Sequence, residues 1–469
     1  MKKSAVYLFY LLLFTVFIIS SYWVIQQGTL LQSSQIKINV PRLANDHWTE
    51  IRSILRDNID RPLPVILLQI LMILVTARFF GFLCNKMGQP TVIGEIIAGI
   101  FLGPSFLGIY FPKVFSFIFP LSSLNNLQYL SQIGLILFMF VIGMELDFKL
   151  LKSKSQNAVV ISHASILIPF GLGLVLAYYL YANYAPAGIS FISFSLFIGI
   201  AMSITAFPVL ARIVHQRGLS KTPIGTLVIT CAAADDVTAW CMLAAVIAIV
   251  KTGSIISLTI TLIMALCYVL IMIKVIGPLL SKAGDKMKNS ETLNKPMIAI
   301  FFILLILSSY VTEIIGIHAL FGAFMAGIIM PSDASFRKNF IYKIEDIALV
   351  LLLPLFFVFT GLKTHINLLN SLPLWEVTTI IIIVAFIGKF LGSAFTARFV
   401  GQSWKDSLII GALMNTRGLV ELVVLNIGYD LHILSSTMFS MLVIMALFTT
   451  FMTGPILDLI NRLMPEKKS

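Results

Sequence analysis

Fourteen stretches of this 469-residue chain are apolar for long enough to cross a bilayer as helices, which takes about 20 residues at the helical rise. They lie at 4–25, 63–84, 91–110, 127–147, 157–181, 190–213, 222–250, 254–280, 296–313, 316–331, 346–362, 374–400, 405–428 and 434–462. The stretches at 91–110 and 316–331 are short and rich in glycine. Hydrophobic residues make up 58% of the chain and charged residues only 12%, against roughly 25% charged in an ordinary soluble domain. That balance excludes a soluble enzyme, so the expected fold is an all-α polytopic membrane protein.

A net charge of +12 would suggest a nucleic-acid partner in a soluble chain. Here the basic residues occupy the short gaps between apolar runs, and orientation in the membrane explains them better than nucleic acid does. With the N-terminus in the cytoplasm, 23 Lys and Arg fall in inner segments and 8 in outer ones. Both termini are then cytoplasmic, in a cell (inner) membrane. Residues 1–62 read as an anchor helix and an extracytoplasmic segment. Lys2 and Lys3 precede the first apolar run, but no small-x-small cleavage site follows Ile19-Ser20-Ser21-Tyr22, which favours an uncleaved anchor over a secretory signal. Residues 63–462 form the transmembrane domain and 463–469 a short cytoplasmic tail. The four cysteines lie in or beside apolar runs without zinc-ligand spacing, and no cofactor is expected.

Two basic residues, Lys389 and Arg417, stand deep within apolar segments, as do the acids Glu95, Asp235, Asp236 and Glu421. Each costs about 2.5–3.5 kcal/mol or more at mid-bilayer, so they are expected to face protein or water and to carry the chemistry. The strongest signal is the acidic pair in Cys231-Ala-Ala-Ala-Asp235-Asp236-Val-Thr-Ala-Trp240. Neighbours on a helix project about 100° apart, so the two carboxylates cannot both face one partner. One can contact a hydrated cavity while the other takes a basic neighbour.

Two helices should be interrupted. Ser203-Ile-Thr205-Ala-Phe-Pro208 puts a proline mid-span in 190–213, and Gly411-Ala-Leu-Met-Asn415-Thr416-Arg417-Gly418 puts polar and glycine residues mid-span in 405–428. Broken backbone at that depth is tolerated against protein or a water cavity, where freed carbonyls can coordinate a cation. The triplet 157–181, 190–213, 222–250 is matched about 210 residues later by 374–400, 405–428, 434–462, in opposite orientation. Such an inverted repeat places a binding site at the midplane where two broken helices cross. Lys389, flanked by Gly388 and Gly392, which allow close helix packing, is the partner expected for Asp235 or Asp236. Arg417 and Glu421, four apart, can pair with each other.

Glu95 is a gating acid or an interface residue. Glu145 and Asp147 mark a helix end, and His163 and His318 read as hydrogen-bonded core residues. A cation channel is the nearest competing reading, but a filter would not need a lysine beside the carboxylates. An intramembrane aspartyl protease would need two acids face to face, which adjacent residues on one helix cannot supply.

Several ordered motifs resemble a known family. They are Gly88-Gln-Pro-Thr-Val-Ile-Gly-Glu-Ile-Ile-Ala-Gly-Ile-Phe-Leu-Gly-Pro104, Phe140-Val-Ile-Gly-Met-Glu-Leu-Asp147, Thr205-Ala-Phe-Pro-Val-Leu-Ala-Arg212 and Ala234-Asp-Asp-Val-Thr-Ala-Trp240, followed by Gly316-Ile-His-Ala-Leu-Phe-Gly-Ala-Phe-Met-Ala-Gly327, Pro354-Leu-Phe-Phe-Val-Phe-Thr-Gly361 and Asn415-Thr-Arg-Gly-Leu-Val-Glu-Leu422. The chain is similar over about residues 63–462 to the monovalent cation:proton antiporter-2 family, the membrane part of sodium/hydrogen and potassium/hydrogen exchangers. The resemblance implies a sodium/proton antiporter-like fold of thirteen helices, a homodimer, and an elevator-like movement of a core domain. It implies Na+ or K+ and H+ as substrates, with Asp236 as the main carrier, Asp235 paired with Lys389, and Thr205 and the carbonyls around both breaks completing the site. Asn415, Thr416, Arg417, Glu421 and Pro208 would support it. The Asp-Asp form implies electrogenic exchange. Residues 1–62 depart from the family pattern, and the chain stops at 469 without the nucleotide-binding regulatory domain of potassium-efflux members.

Overall fold

A computed structural model describes residues 3–33, 55, 57–59, 61–145, 156–219, 222–252, 255–285, 295–331 and 334–464. The chain divides into two compact units, Met1–Arg61 and Pro62–Ser469. In the first, α1 (Lys3–Ser33) is a 31-residue helix that includes the expected anchor; most of the segment that follows it lies outside the described residues.

Every regular element among the described residues of the second unit is helical. Its elements are α2 (Pro62–Lys86), α3 (Thr91–Leu102), α4 (Leu107–Tyr110), α5 (Pro112–Ile118), α6 (Leu121–Glu145), α7 (Gln156–Tyr184), α8 (Phe191–Ser203), α9 (Phe207–Gln216) and α10 (Pro223–Thr252). Then come α11 (Ile255–Ile271), a π-helical turn (Met272–Ile276), α12 (Gly277–Asp285), α13 (Lys295–Ile315) and α14 (Ala319–Ile328). α15 (Ala334–Asp346) runs through a second π-helical turn (Ile347–Leu352) into α16 (Leu353–Leu362), and α17 (Leu372–Phe399), α18 (Trp404–Met414), α19 (Leu419–Asp430) and α20 (Ser436–Leu463) complete the unit.

Among the described residues, 11 helical stretches are long and apolar enough to span a membrane. The stretches expected at 190–213 and 316–331 are not continuous spans. The second shrinks to the ten residues of α14, because Gly316 and His318 take positive φ and turn the chain just before it. His318 then caps α14, its ring nitrogen accepting from the Leu320 N–H. His163 is exposed and bonded to the Val159 carbonyl of its own helix, so it is not a core residue. The described part of α6 runs to Glu145, and the helix end expected at Glu145 and Asp147 lies at and beyond the edge of the described residues.

α2 shows why these segments become helices at a lipid boundary. Val65, Gln69, Ile73, Ala77, Gly81 and Cys84 are buried along one stripe, while Leu63, Leu67, Leu71, Val75, Phe79 and Phe82 are exposed along another. Both stripes recur every three or four residues, the period of one helix face. Apolar residues on the outer stripe are stable only against lipid or another protein.

The helices sort into two packed groups. In one, α2 packs on α3, α3 on α16, α6 on α14 and α16, and α13 on α14. Glycines set these approaches: a Cβ on Gly99 would run into the Val358 backbone of α16, and one on Gly143 into the Phe324 backbone of α14. In the other group α7 packs on α8 and α10 just as α17 packs on α18 and α20, and α7 and α17 pack on each other. The 404–430 stretch sits deepest, with every residue from Ile409 to Gly428 buried.

Candidate functional site

Both expected interruptions are present. Helix stops after Ser203 and resumes at Phe207, and it stops after Met414 and resumes at Leu419. The two breaks are bonded to each other: the Ala206 N–H donates to the Thr416 carbonyl at 3.0 Å, and the Thr205 hydroxyl shares its one proton between the Met414 carbonyl at 3.2 Å and the Asp235 carboxylate. Each break thus satisfies backbone groups the other leaves open, as a buried chain must. Pro208, the last residue of the motif in which the first interruption is expected, lies just after the break. It stands in the first turn of α9, where no intrahelical donor is required, and Ile204–Ala206 carry the extended backbone.

Asp235 and Asp236, on α10, are both fully buried. Asp235 is heavily bonded. Its Oδ1 accepts from Ser162 at 2.6 Å, and its Oδ2 accepts from Ser165 and Thr205, both at 2.7 Å, and from Lys389 Nζ at 3.2 Å. Asp236 is the opposite case: neither carboxylate oxygen has a hydrogen-bond partner in the protein, although the Phe207 N–H at the start of α9 lies within electrostatic reach. The 100° turn between neighbours separates the two roles, and it is Asp235 that takes the lysine.

Lys389 is buried and uses all three of its protons. It donates to the Ser165 carbonyl at 2.8 Å, the Ser203 carbonyl at 2.5 Å and Asp235. Gly388 and Gly392 open the space it needs, lying against Pro169 and Ile168 of α7. Arg417, also buried, donates to the Ala201 carbonyl at 2.7 Å, the Met202 carbonyl at 2.6 Å and Glu421 at 3.1 Å. Two cations from the second triplet therefore cap the last three carbonyls of α8. That is the negative end of a helix dipole, where positive charge is favoured.

Asn415 and Thr416 line the second break with side chains that are buried and without protein partners. Together with Asp236 they form a polar, unsatisfied set at the crossing, in a fold where buried polar groups normally find partners. Glu95 does not join it; it lies on α3 among the Arg78 and Arg212 charges. Ser162 and Ser165 were not foreseen. Their three-residue spacing on an otherwise apolar helix is the signal that could have found them.

Residues 71–461 match the family described as sodium/hydrogen exchanger, transmembrane. The Na(+)/H(+) antiporter NhaS4 of Synechocystis is 43% identical over 397 residues, which is 84% of this chain and 96% of that protein. Cation/H(+) antiporter 17 of Arabidopsis thaliana is 40% identical, over 85% of this chain and 48% of its own length. K(+)/H(+) antiporter 1 of Saccharomyces cerevisiae is 34% identical, over 86% of this chain and 47% of its own length. The chain thus spans about half of these two eukaryotic relatives. The solved structure of the sodium proton antiporter MjNhaP1 from Methanocaldococcus jannaschii superposes with a TM-score of 0.63 at 18% identity, over 87% of this chain and all of that one. At that identity the likeness concerns the fold alone.

Proposed function

The chain belongs to the sodium/hydrogen exchanger family, one of transporters rather than enzymes, and on that premise we propose that it exchanges a monovalent cation, Na+ or K+, for protons by alternating access. The observation that carries this reading is Asp236, a buried carboxylate with no partner in the protein beside a second carboxylate that is fully engaged. A carboxylate left open in this way can hold a cation when ionised and release it when protonated, so one site serves both substrates in turn. Thr205 and the carbonyls and side chains of the two breaks, Asn415 and Thr416 among them, complete it. Arg417 and Glu421 support it, Pro208 starts the α9 helix beside it, and Glu95 stands apart as a gate.

The triplets α7–α10 and α17–α20 act as an inverted repeat that moves against the α2–α6 and α13–α16 group, in a homodimer. Residues 1–62 anchor the chain, 63–462 transport, and 463–469 form a cytoplasmic tail. Both termini face the cytoplasm of a cell (inner) membrane, and exchange is electrogenic. The test is purified protein in vesicles holding a pH-sensitive dye, challenged with Na+, K+ and Li+. Cation-driven movement of protons is expected. Cation flux with no proton movement would mean a channel and sink the proposal.

A further inference from the structure

In an α-helix the carbonyl of residue i accepts the N–H of residue i+4. Pro169 lies inside α7 and has no N–H, so the carbonyl four residues before it, that of Ser165, receives nothing from residue 169. That carbonyl is the one that accepts Lys389 Nζ at 2.8 Å. The same turn of α7 supplies the Ser162 and Ser165 hydroxyls to Asp235, so both members of the ion pair are held by it. Gly388, one residue before the lysine, has Pro169 and Leu172 as its nearest neighbours. α17 thus passes the turn of α7 that holds Pro169 and Leu172 directly beside Lys389.

We propose that Pro169 is a positioning residue of the transport site: by withholding an N–H it leaves the Ser165 carbonyl to Lys389, and so fixes the ammonium against Asp235. An ammonium has three protons and no other way to adjust than to turn. One acceptor is Asp235 and another is the Ser203 carbonyl at the end of α8, released by the helix break. The third comes from α7, where the Ser165 carbonyl at 2.8 Å lies well inside the Ser165 hydroxyl at 3.4 Å, although in a continuous helix such carbonyls are ordinarily committed to the N–H groups four residues on. Proline is the residue type that frees one of them and leaves the helix running. This rests on the exchange reading above, which makes Asp235 and Lys389 part of the site.

The test restores the missing proton and then removes it without proline. Pro169→Ala supplies an N–H and improves helix propensity, so it is expected to fold with an undiminished melting temperature. Its exchange rate should fall about tenfold, as expected for weakening one hydrogen bond to a charged group. An α-hydroxy acid placed at position 169 by nonsense suppression has an ester oxygen where the N–H would be, and should restore exchange although it lacks the ring. Silence of Pro169→Ala, or an α-hydroxy acid as damaging as alanine, would overturn the proposal. A second measurement does not depend on transport: the melting temperatures of Pro169→Ala, Lys389→Gln and the double variant. Non-additive shifts are expected for groups that share a partner, and additive shifts would overturn the proposal. A wild-type chain with no exchange at all would instead sink the exchange reading, while the melting cycle would still decide the role of Pro169.

Discussion

Asp236 and Lys389 carry opposite expectations because one is unpartnered and the other saturated. Asp236→Asn keeps the shape of a side chain that no other side chain bonds, and its amide oxygen can still face the Phe207 N–H, so the variant should reach the membrane folded. It can no longer alternate between ionised and protonated, and exchange should fall to the level of empty vesicles. Wild-type rates in Asp236→Asn would move the carrier role elsewhere. Lys389→Gln keeps a donor for Asp235 but removes a proton that the ammonium can give up when its carboxylate partner is drawn away. Exchange that persists in this variant should carry no net charge, read as current on a solid-supported membrane beside dye-detected exchange; undiminished charge per proton would make the lysine structural. The acids and the lysine were legible in the sequence because each is costly in lipid. Which acid takes the lysine was left open by the residues alone, since both stand on the same helix; the family resemblance implied Asp235, and that is the acid the structure pairs with Lys389.

The interruptions follow a similar division. A proline and a polar run announced them, but the first break is held by bonds from the second rather than by the proline. Thr205→Val removes a hydroxyl that bonds both Asp235 and the Met414 carbonyl. The apparent KM for the cation should rise about fivefold, the scale of one lost hydrogen bond. Pro208→Ala, in the first turn of α9, should change KM by less than about twofold. Equal effects from the two would return the proline to the centre of the break. α14 was misjudged as a span because hydrophobicity marks where a chain can sit in lipid, whereas the positive φ at Gly316 and His318 sets where it turns.

Across the whole molecule, α19 meets the first helix group through side chains. Asn426 donates to Thr360 at 2.8 Å, Lys363 pairs with Asp430 at 2.6 Å, and Gln128 donates to the same carboxylate at 3.0 Å. If the two groups move past each other during exchange, tying them here should stop it. Thr360→Cys with Asn426→Cys, in a chain whose native cysteines are replaced, should lose exchange on oxidation and regain it on reduction. Exchange that survives verified cross-linking would rule out relative movement at this seam. The all-helical fold was readable because apolar length dictates it, but the pairing of helices depends on glycine contacts such as Gly99 with α16, which no hydropathy pattern encodes.

The capping of α8 has a consequence for how the protein is made. Its last carbonyls, those of Ala201, Met202 and Ser203, are satisfied by Lys389 and Arg417, which lie 186 to 216 residues further along. At about 5–20 residues per second of synthesis, the ribosome takes roughly 10–40 s to reach them. Through that interval the nascent first half holds a helix end with no permanent partner, and water, lipid headgroups or an insertion chaperone must stand in. The second half arrives as the stopper for an opening the first half cannot close, and its emergence is the moment at which the ribosome's product can first become watertight.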